Sequence, residues 1–318
     1  FENKGETDKV THHLEGFIQL LDRYHEREFI SEQTYHILKP HAEFLIEWLN
    51  SLKLVVDGQA QSVVVIADDE DETVIQAAEL LVEYVQKSTG AIIPITTVGA
   101  VDDESSNETI RIYIGQSGLT NKIEEEIVEL HIDGYYMDTR EGYVTIVGPT
   151  VRGTEHGVYE FLERYVGVRW LMPGPDGEDV PQMEDLLIPY EWVMDEPVYK
   201  SRQMWGLHAA DYRSMTDNRM NYEWGVRNRL HSTIEGYFHN MNYLFFPAKG
   251  WPAEHYPTLY PEVYPMRNGE RYIPTSDVRW QPCFSEPIAA ELAAGTVIDY
   301  FHENPNETSF SLAVNDGL

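Results

Sequence analysis

The side chains best suited to chemistry lie in the C-terminal part of the chain, each close behind a stretch that reads as a strand. Two are carboxylates, Glu235 and Asp316; two are imidazoles, His208 and His239; two are carboxamides, Asn240 and Asn315. Paired carboxyl groups can divide acid and base work at one bond when their surroundings drive their pKa values apart. Imidazoles and carboxamides bind hydroxyls or a carboxylate. Arg202, Arg227 and Arg229 can grip a carboxylate through two parallel N–H bonds, and Trp205, Trp224, Tyr237, Trp251 and Trp280 offer flat rings for stacking. Each has a plainer reading. Asp316 in Asn315-Asp316-Gly317 can form an Asx turn at a strand end. The histidines can be loop packing. Trp205, Trp224, Tyr237, Trp251 and Trp280 can fill core or rim, because large rings carry large burial terms. Arg227 and Arg229 can pair with nearby acids.

Other suggestive stretches resolve into structure. His12, His13, His25, His36 and His41 have spacings that match no metal-ligand pattern. The acidic run Asp68–Glu72 lacks the loop glycine and terminal Glu of a calcium loop, and fits the first turn of a helix, where the dipole favours negative charge. Gly115-Gln-Ser-Gly118 lacks both the phosphate-loop lysine and the third glycine of a dinucleotide motif, so a plain turn is expected. Cys283 stands in no nucleophile signature and, as a lone cysteine, excludes an intrachain disulfide. No metal and no cofactor are expected.

The elements that must position these groups follow from periodicity. Residues 11–53 carry apolar side chains at helical spacing, with helix starts expected near Ser31 and Pro40. Ser62–Ala67 is a β-branched run. A helix is expected from Thr73 to Ser88, stopped by Thr89-Gly90. Strands follow at Ile92–Thr97 and Ile110–Ile114, then a helix near 119–130, a hairpin Gly134–Asp138/Tyr143–Val147, a helix Val151–Tyr165 and a strand Val168–Leu171. The order β-α-β-β-α-β-β-α-β over 60–172 predicts an α/β sandwich with a mixed sheet. Beyond Asp195-Glu-Pro the composition turns to Tyr, Trp, His, Arg and Pro. Strands are expected at Arg202–Leu207, Leu230–Glu235 and Thr308–Val314, and helices at Asn218–Asn228 and Glu286–Glu303.

Several spaced motifs carry a resemblance: Ala77-Ala-Glu-Leu-Leu-Val-Glu-Tyr-Val-Gln-Lys-Ser-Thr-Gly-Ala-Ile-Ile-Pro-Ile, Ile112-Tyr-Ile-Gly-Gln-Ser, Gly148-Pro-Thr-Val-Arg-Gly-Thr-Glu-His-Gly-Val-Tyr-Glu-Phe-Leu, and Val166-Gly-Val-Arg-Trp-Leu-Met-Pro. Over about residues 60–185 the chain resembles a bacterial family of secreted proteins of unknown function. That family carries a xylan α-glucuronidase-like N-terminal domain before a glycosidase-type barrel. His239-Asn, Pro257–Glu262, Asn268-Gly-Glu-Arg, Gln281-Pro-Cys-Phe-Ser-Glu-Pro and Ser309–Asp316 are similar to the same family. The resemblance implies an α/β sandwich accessory domain without catalysis, then a (β/α)8 barrel whose site lies at the C-terminal strand ends. It places Asp316 where α-glucuronidases carry a catalytic acid, with Asp in place of their Glu; their second carboxylate falls beyond Leu318. Glu235 is the one candidate partner within the chain. Glycoside hydrolysis by two carboxyl groups is the chemistry implied, on uronate- or acetamido-sugar-containing glycans; a non-catalytic carbohydrate-binding or cell-surface protein with a degenerate barrel is the alternative. A polysaccharide lyase stays open as a third.

The expected organisation is a helical segment over 1–56, the accessory domain over 57–195 and the first part of a barrel over 196–318. About three β/α units are found where a barrel needs eight, so three or four parallel strands are expected. Net charge is −31, from 54 acidic and 23 basic residues. Such a chain repels nucleic acid and anionic membranes, and no apolar run long enough to insert in a membrane exists. The expected partner is a carbohydrate; the oligomeric state is not legible. The chain begins with Phe1 and shows no signal peptide, as a mature or trimmed product would, and the resemblance implies an extracellular or cell-surface bacterial protein.

Overall fold

The computed structural model describes residues 2–100, 109–202, 216–231, 239–245, 258–273 and 280–315. It is a mixed helix and strand fold with a parallel sheet. The chain divides into two compact units, Phe1–Tyr199 with Gln203–Leu230, and Lys200–Arg202 with His231–Leu318.

The first unit begins with two long helices, α1 (Glu2–Glu26) and α2 (Glu32–Leu49). Ser31 caps α2 by accepting from the Thr34 N–H. Asp22 of α1 accepts from the Tyr35 hydroxyl at 2.8 Å and from Lys39 at 2.9 Å, tying the helices together. Pro40, expected at a helix start, lies inside α2 instead. The helical periodicity also overran. Asn50 caps α2, and Ser51–Lys53 belong to strand β1 (Ser51–Val56), where pairing with a distant segment outweighs local pattern.

Strand β2 (Gln59–Ala60) turns back on β1 and leads into β3 (Ser62–Ile66). Helix α3 (Glu72–Thr89) has the ends its sequence predicts. The Asp71 side chain accepts from the Thr73 N–H, and Gly90 closes the helix at φ +78°. Then come β4 (Ile95–Thr97), β5 (Ile110–Ile114), α4 (Asn121–Ile127), β6 (Tyr135–Arg140), β7 (Tyr143–Val147) and α5 (Val151–Phe161). Short β8 (Arg169–Trp170) pairs with β9 (Glu178–Asp179); β10 (Leu186–Pro189) pairs with β1, and β11 (Trp192–Asp195) with β6.

The main sheet runs β11-β6-β7-β5-β3-β4; β7, β5, β3 and β4 are mutually parallel, and β6 runs antiparallel to both of its neighbours, β7 and β11. Helices α3 and α5 lie together on one face, as expected for 73–88 and 152–165 in one domain. Val74, Leu81, Val85, Val158 and Phe161 share a core there with Val64, Ile112, Met137 and Ile146. Residues of opposite parity on the antiparallel strands, Tyr136 and Val147, pack with Ile127 of α4. Both faces of β6 and β7 are therefore covered.

The motif beginning at Gly148 is the seat of α5. Thr150 caps the helix by accepting from the Gly153 N–H and donates its own hydroxyl to the Ile132 carbonyl. Thr154 accepts from the Gly148 N–H at 3.0 Å. A Cβ at Gly153 would stand 2.2 Å from the Gly134 carbonyl oxygen, so only glycine lets the helix approach this turn. The later motif closes α5: residues 162–166 widen into a π turn, and Gly167 ends it at φ +79°.

Helix α6 (Thr216–Arg227), expected at 218–228, packs within the first unit. The second unit holds α7 (Met241–Phe245), the antiparallel pair β12 (Met266–Arg267) and β13 (Glu270–Arg271), and α8 (Pro287–Glu303). Here the strand expectations fail where they can be checked. Thr308–Val314 forms no strand but runs as irregular chain, bonded edge-on to Asn240. No parallel strand occurs in this unit among the described residues. Most of Arg202–Leu207 and Leu230–Glu235 lies outside them.

Gly153→Ala is expected to destabilise the chain by about 1–3 kcal/mol, because the added methyl meets a fixed carbonyl. Gly16→Ala in α1, where a Cβ meets nothing within 4 Å, is expected to be neutral or stabilising. Urea unfolding of both variants compares the two outcomes directly.

Candidate functional site

The core of the second unit fixes where its polar groups can go. Met241, Leu244 and Phe245 of α7 pack with Val263, Tyr264, Trp280 and Ala289. The Trp280 ring is fully buried, stacked on Tyr264 at 5.9 Å and edge-on to Phe245 at 6.2 Å. It is a packing group and presents no face to a ligand. Thr296 of α8 donates to the Leu244 carbonyl at 2.9 Å, joining the two helices.

Against this core the structure brings together three of the residues singled out by sequence. Asn240, just before α7, donates its backbone N–H to Ala313 at 3.0 Å and its side-chain amide to the Ser311 carbonyl at 2.7 Å. His239 Nδ1 lies 3.3 Å from the Val314 carbonyl oxygen. Asn315 is 3% exposed, and its Oδ1 accepts from the Met241 N–H at 3.3 Å. The Gln281 side chain donates to the Asn315 backbone carbonyl. Two chain segments far apart in sequence are thus clamped side by side, with both ends of Asn315 held. Asn240 and Asn315 act here as positioning groups rather than as ligand contacts. The Asn315 Nδ2 is buried and has no partner among the described residues.

Arg202 donates its backbone N–H to the His231 carbonyl at 2.8 Å. Trp205, His208, Glu235 and Asp316 lie outside the described residues, as do Tyr237 and Trp251. Cys283 lies at the turn before α8, its backbone N–H bonded to Val263 at 2.8 Å. Among the described residues no group of three His, Cys, Asp or Glu is arranged to hold a metal ion. No helix among them is long and apolar enough to cross a membrane.

A second polar constellation, in the first unit, was not legible as a group in the sequence. Glu178 accepts from the Tyr84 hydroxyl at 2.5 Å, from Lys87 at 3.1 Å and from Arg227 at 2.9 Å. Trp170 Nε1 donates to the Tyr84 oxygen at 2.9 Å, and Trp224 Nε1 to the Trp170 carbonyl at 2.9 Å. Burial raises the Tyr84 hydroxyl to about 12, and the Glu178 carboxylate beside it pushes the same way. Burial also works against the Glu178 charge, but the hydrogen bonds from Tyr84 and Lys87 outweigh it and hold its carboxyl below the usual range. Arg229, at φ +58°, forms an ion pair with Glu160 at 3.2 Å and donates a hydrogen bond to Glu163. The partners come from α3, β9 and α6, so no local spacing reveals them. Arg227 and Arg229 are staples for α6, the plainer of their two readings.

Residues 172–317 match the family described as "Domain of unknown function (DUF4838)", and residues 1–47 match the FIMAH domain. No curated protein matches the chain. Among solved structures it is similar to the family GH20 β-N-acetylhexosaminidase of Streptomyces coelicolor A3(2), at 18% identity over 48% of this chain and 24% of that one, with a TM-score of 0.31. A family GH115 4-O-methyl-α-glucuronidase with specificity for decorated arabinogalactans is similar at 16% identity over 57% of this chain and 25% of that one, TM-score 0.35. The Flavobacterium johnsoniae chitobiase is similar at 14% over 49% and 20%, TM-score 0.27. The chain thus spans a quarter or less of the length of each of these glycoside hydrolases.

Two stability outcomes follow. Asn315→Ala strips the Met241 N–H of its buried acceptor and is expected to cost about 1–3 kcal/mol, read as a lowered unfolding midpoint. Glu178→Gln is expected to cost a similar amount at pH 7. Because the folded pKa of Glu178 is depressed, its contribution is full above the ordinary carboxylate value of 4.5 and disappears as pH falls through the folded value. The gap between parent and Glu178→Gln midpoints should therefore close on acidification from pH 6 to pH 3.

Proposed function

We propose that this chain belongs to a glycoside hydrolase acting on a polysaccharide or its oligosaccharides, with the α/β unit, which β1 and α6 complete, as an accessory domain and the second unit as a contributor to a barrel. The observation that carries the reading is the clamp on Asn315. Two segments are locked together by Asn240, Gln281 and the α7 amide, immediately before the carboxylate that the motif resemblance assigns as acid. Such rigid support is what a group needs when a proton must arrive at one oxygen in one geometry.

In this reading Asp316 protonates the glycosidic oxygen as the bond to the sugar breaks, and Glu235 is the in-chain candidate for the opposing carboxylate. His208, His239, Asn240, Arg202, Trp205 and Asn315 are then the substrate side, with Asn240 and Asn315 acting through position. The ligand is a carbohydrate, at a bacterial surface or outside the cell. One feature favours a second reading, a carbohydrate-binding protein with a degenerate barrel: position 316 carries Asp where the α-glucuronidases carry Glu, a shorter reach to the same bond.

Turnover separates the two. On a glycan that the full-length protein hydrolyses, Asp316→Asn should lower kcat by about 10² or more with an unchanged unfolding midpoint. Near-parental turnover removes Asp316 from the mechanism. A protein that binds glycans, hydrolyses none, and binds equally well as Asp316→Asn is the binding protein of the second reading.

A further inference from the structure

The first unit contains a cleft of about 520 Å³, within the usual range for small-molecule sites. One wall is the start of α1 and the end of α2; the other is the turn from β6 to β7, with the connection from β10 to β11 at its rim. Two phenol rings line it, Tyr143 at 36% exposed and Tyr190 at 48%. Asp8, Asn50, Arg140 and Glu141, with Thr7 and Thr139, complete the polar lining.

Several polar groups of this cleft keep bonding capacity that no described residue uses, although Thr139 spends its hydroxyl on the Pro189 and Glu191 carbonyls. Asn50 directs its amide N–H bonds inward, to Thr11 at 3.2 Å and Ile46 at 2.9 Å, and leaves its carbonyl oxygen without a partner among the described residues. Arg140 uses Nε on Asp138 at 2.7 Å, while its side chain stays 55% exposed. The Asp8 and Glu141 carboxylates and the Tyr143 and Tyr190 hydroxyls have no hydrogen-bond partner among the described residues. The Tyr190 hydroxyl is raised by partial burial and then by the Glu141 charge.

We propose that this cleft binds a neutral oligosaccharide, as a site separate from the Asp316 region. Three features select that ligand. Its acceptors outnumber its donors, so it suits a molecule that presents many hydroxyl hydrogens. Two tyrosines offer rigid apolar faces with polar tips, and so complement a pyranose, whose C–H faces are apolar and whose edges are polar. Two carboxylates against one guanidinium, within a chain of net charge −31, disfavour an anionic ligand. The site deepens the carbohydrate reading above but stands on groups that reading does not use.

The test is isothermal titration of the full chain with hexaoses of β-1,4-linked glucose, xylose, mannose and N-acetylglucosamine, with spermine as a cationic competitor. At least one hexaose should bind. Tyr143→Ala and Tyr190→Ala should each weaken it by about tenfold or more, with unchanged unfolding midpoints, while Gly16→Ala, in α1 but outside the cleft, binds as the parent does. Binding of no hexaose, equal binding by both alanine variants, or binding of spermine alone overturns the proposal. Product analysis on the same samples keeps the two readings apart. Hydrolysis that persists with binding indifferent to both tyrosines sinks the cleft alone. Tyrosine-dependent binding without hydrolysis sinks the hydrolase alone.

Discussion

The space between α5 and the turn before β6 leaves no room for a side chain, and the first unit is arranged around that fact. With Gly153 against the Gly134 carbonyl, the helix lies low enough for His156 Nδ1 to come within 3.2 Å of the Asp133 carbonyl oxygen. The same depth sets Gly157 against Ile146 and Tyr135. Val158 and Phe161 then reach the shared core, and α3 packs beside α5. Trp170, carried by the strand after α5, meets Tyr159 and Tyr84 edge-on at 5.8 and 5.4 Å. A close backbone approach thus sets the depth of the helix layer, and the aromatic contacts inherit that depth.

Where local chemistry decided the outcome, the sequence was readable. Asp71 and Gly90 bracket α3 as capping residues should, and the β-branched run at Ser62–Ile66 is a buried parallel strand. Where partners come from far along the chain, it was not. Ser51–Val56 is a strand because Leu186–Pro189 pairs with it, more than 130 residues away, and no window of residues contains both. Thr308–Val314 alternates like a strand, yet Asn240 engages it through a side-chain amide, leaving no ladder. Alternation records which faces are apolar; it does not supply a neighbouring strand.

The candidate site divides along the same line. His239, Asn240 and Asn315 were identifiable by residue type and position, and the structure joins them. Their mode of action was not legible. A carboxamide that touches a ligand and one that holds a turn look alike in a sequence, and only the 3% exposure of Asn315 and its bond to Met241 tell them apart. Of the Glu178 constellation only the pairing of Arg227 with some acid was legible; which acid was not, because the members lie on three separate elements.

The staple formed by Arg227 and Arg229 bears on modularity. The α/β unit is not one continuous stretch: after Tyr199 the chain leaves it, and Gln203–Leu230 returns to complete it. Cut at the compositional break near residue 196, the unit would lose α6 and expose Glu178 and the Trp170 carbonyl, which that helix satisfies. Gene fusion or duplication works on contiguous segments. A unit completed by a later segment can be inherited whole only together with the chain in between, so the folded boundary ties the fate of the two halves together more tightly than the sequence boundary suggests.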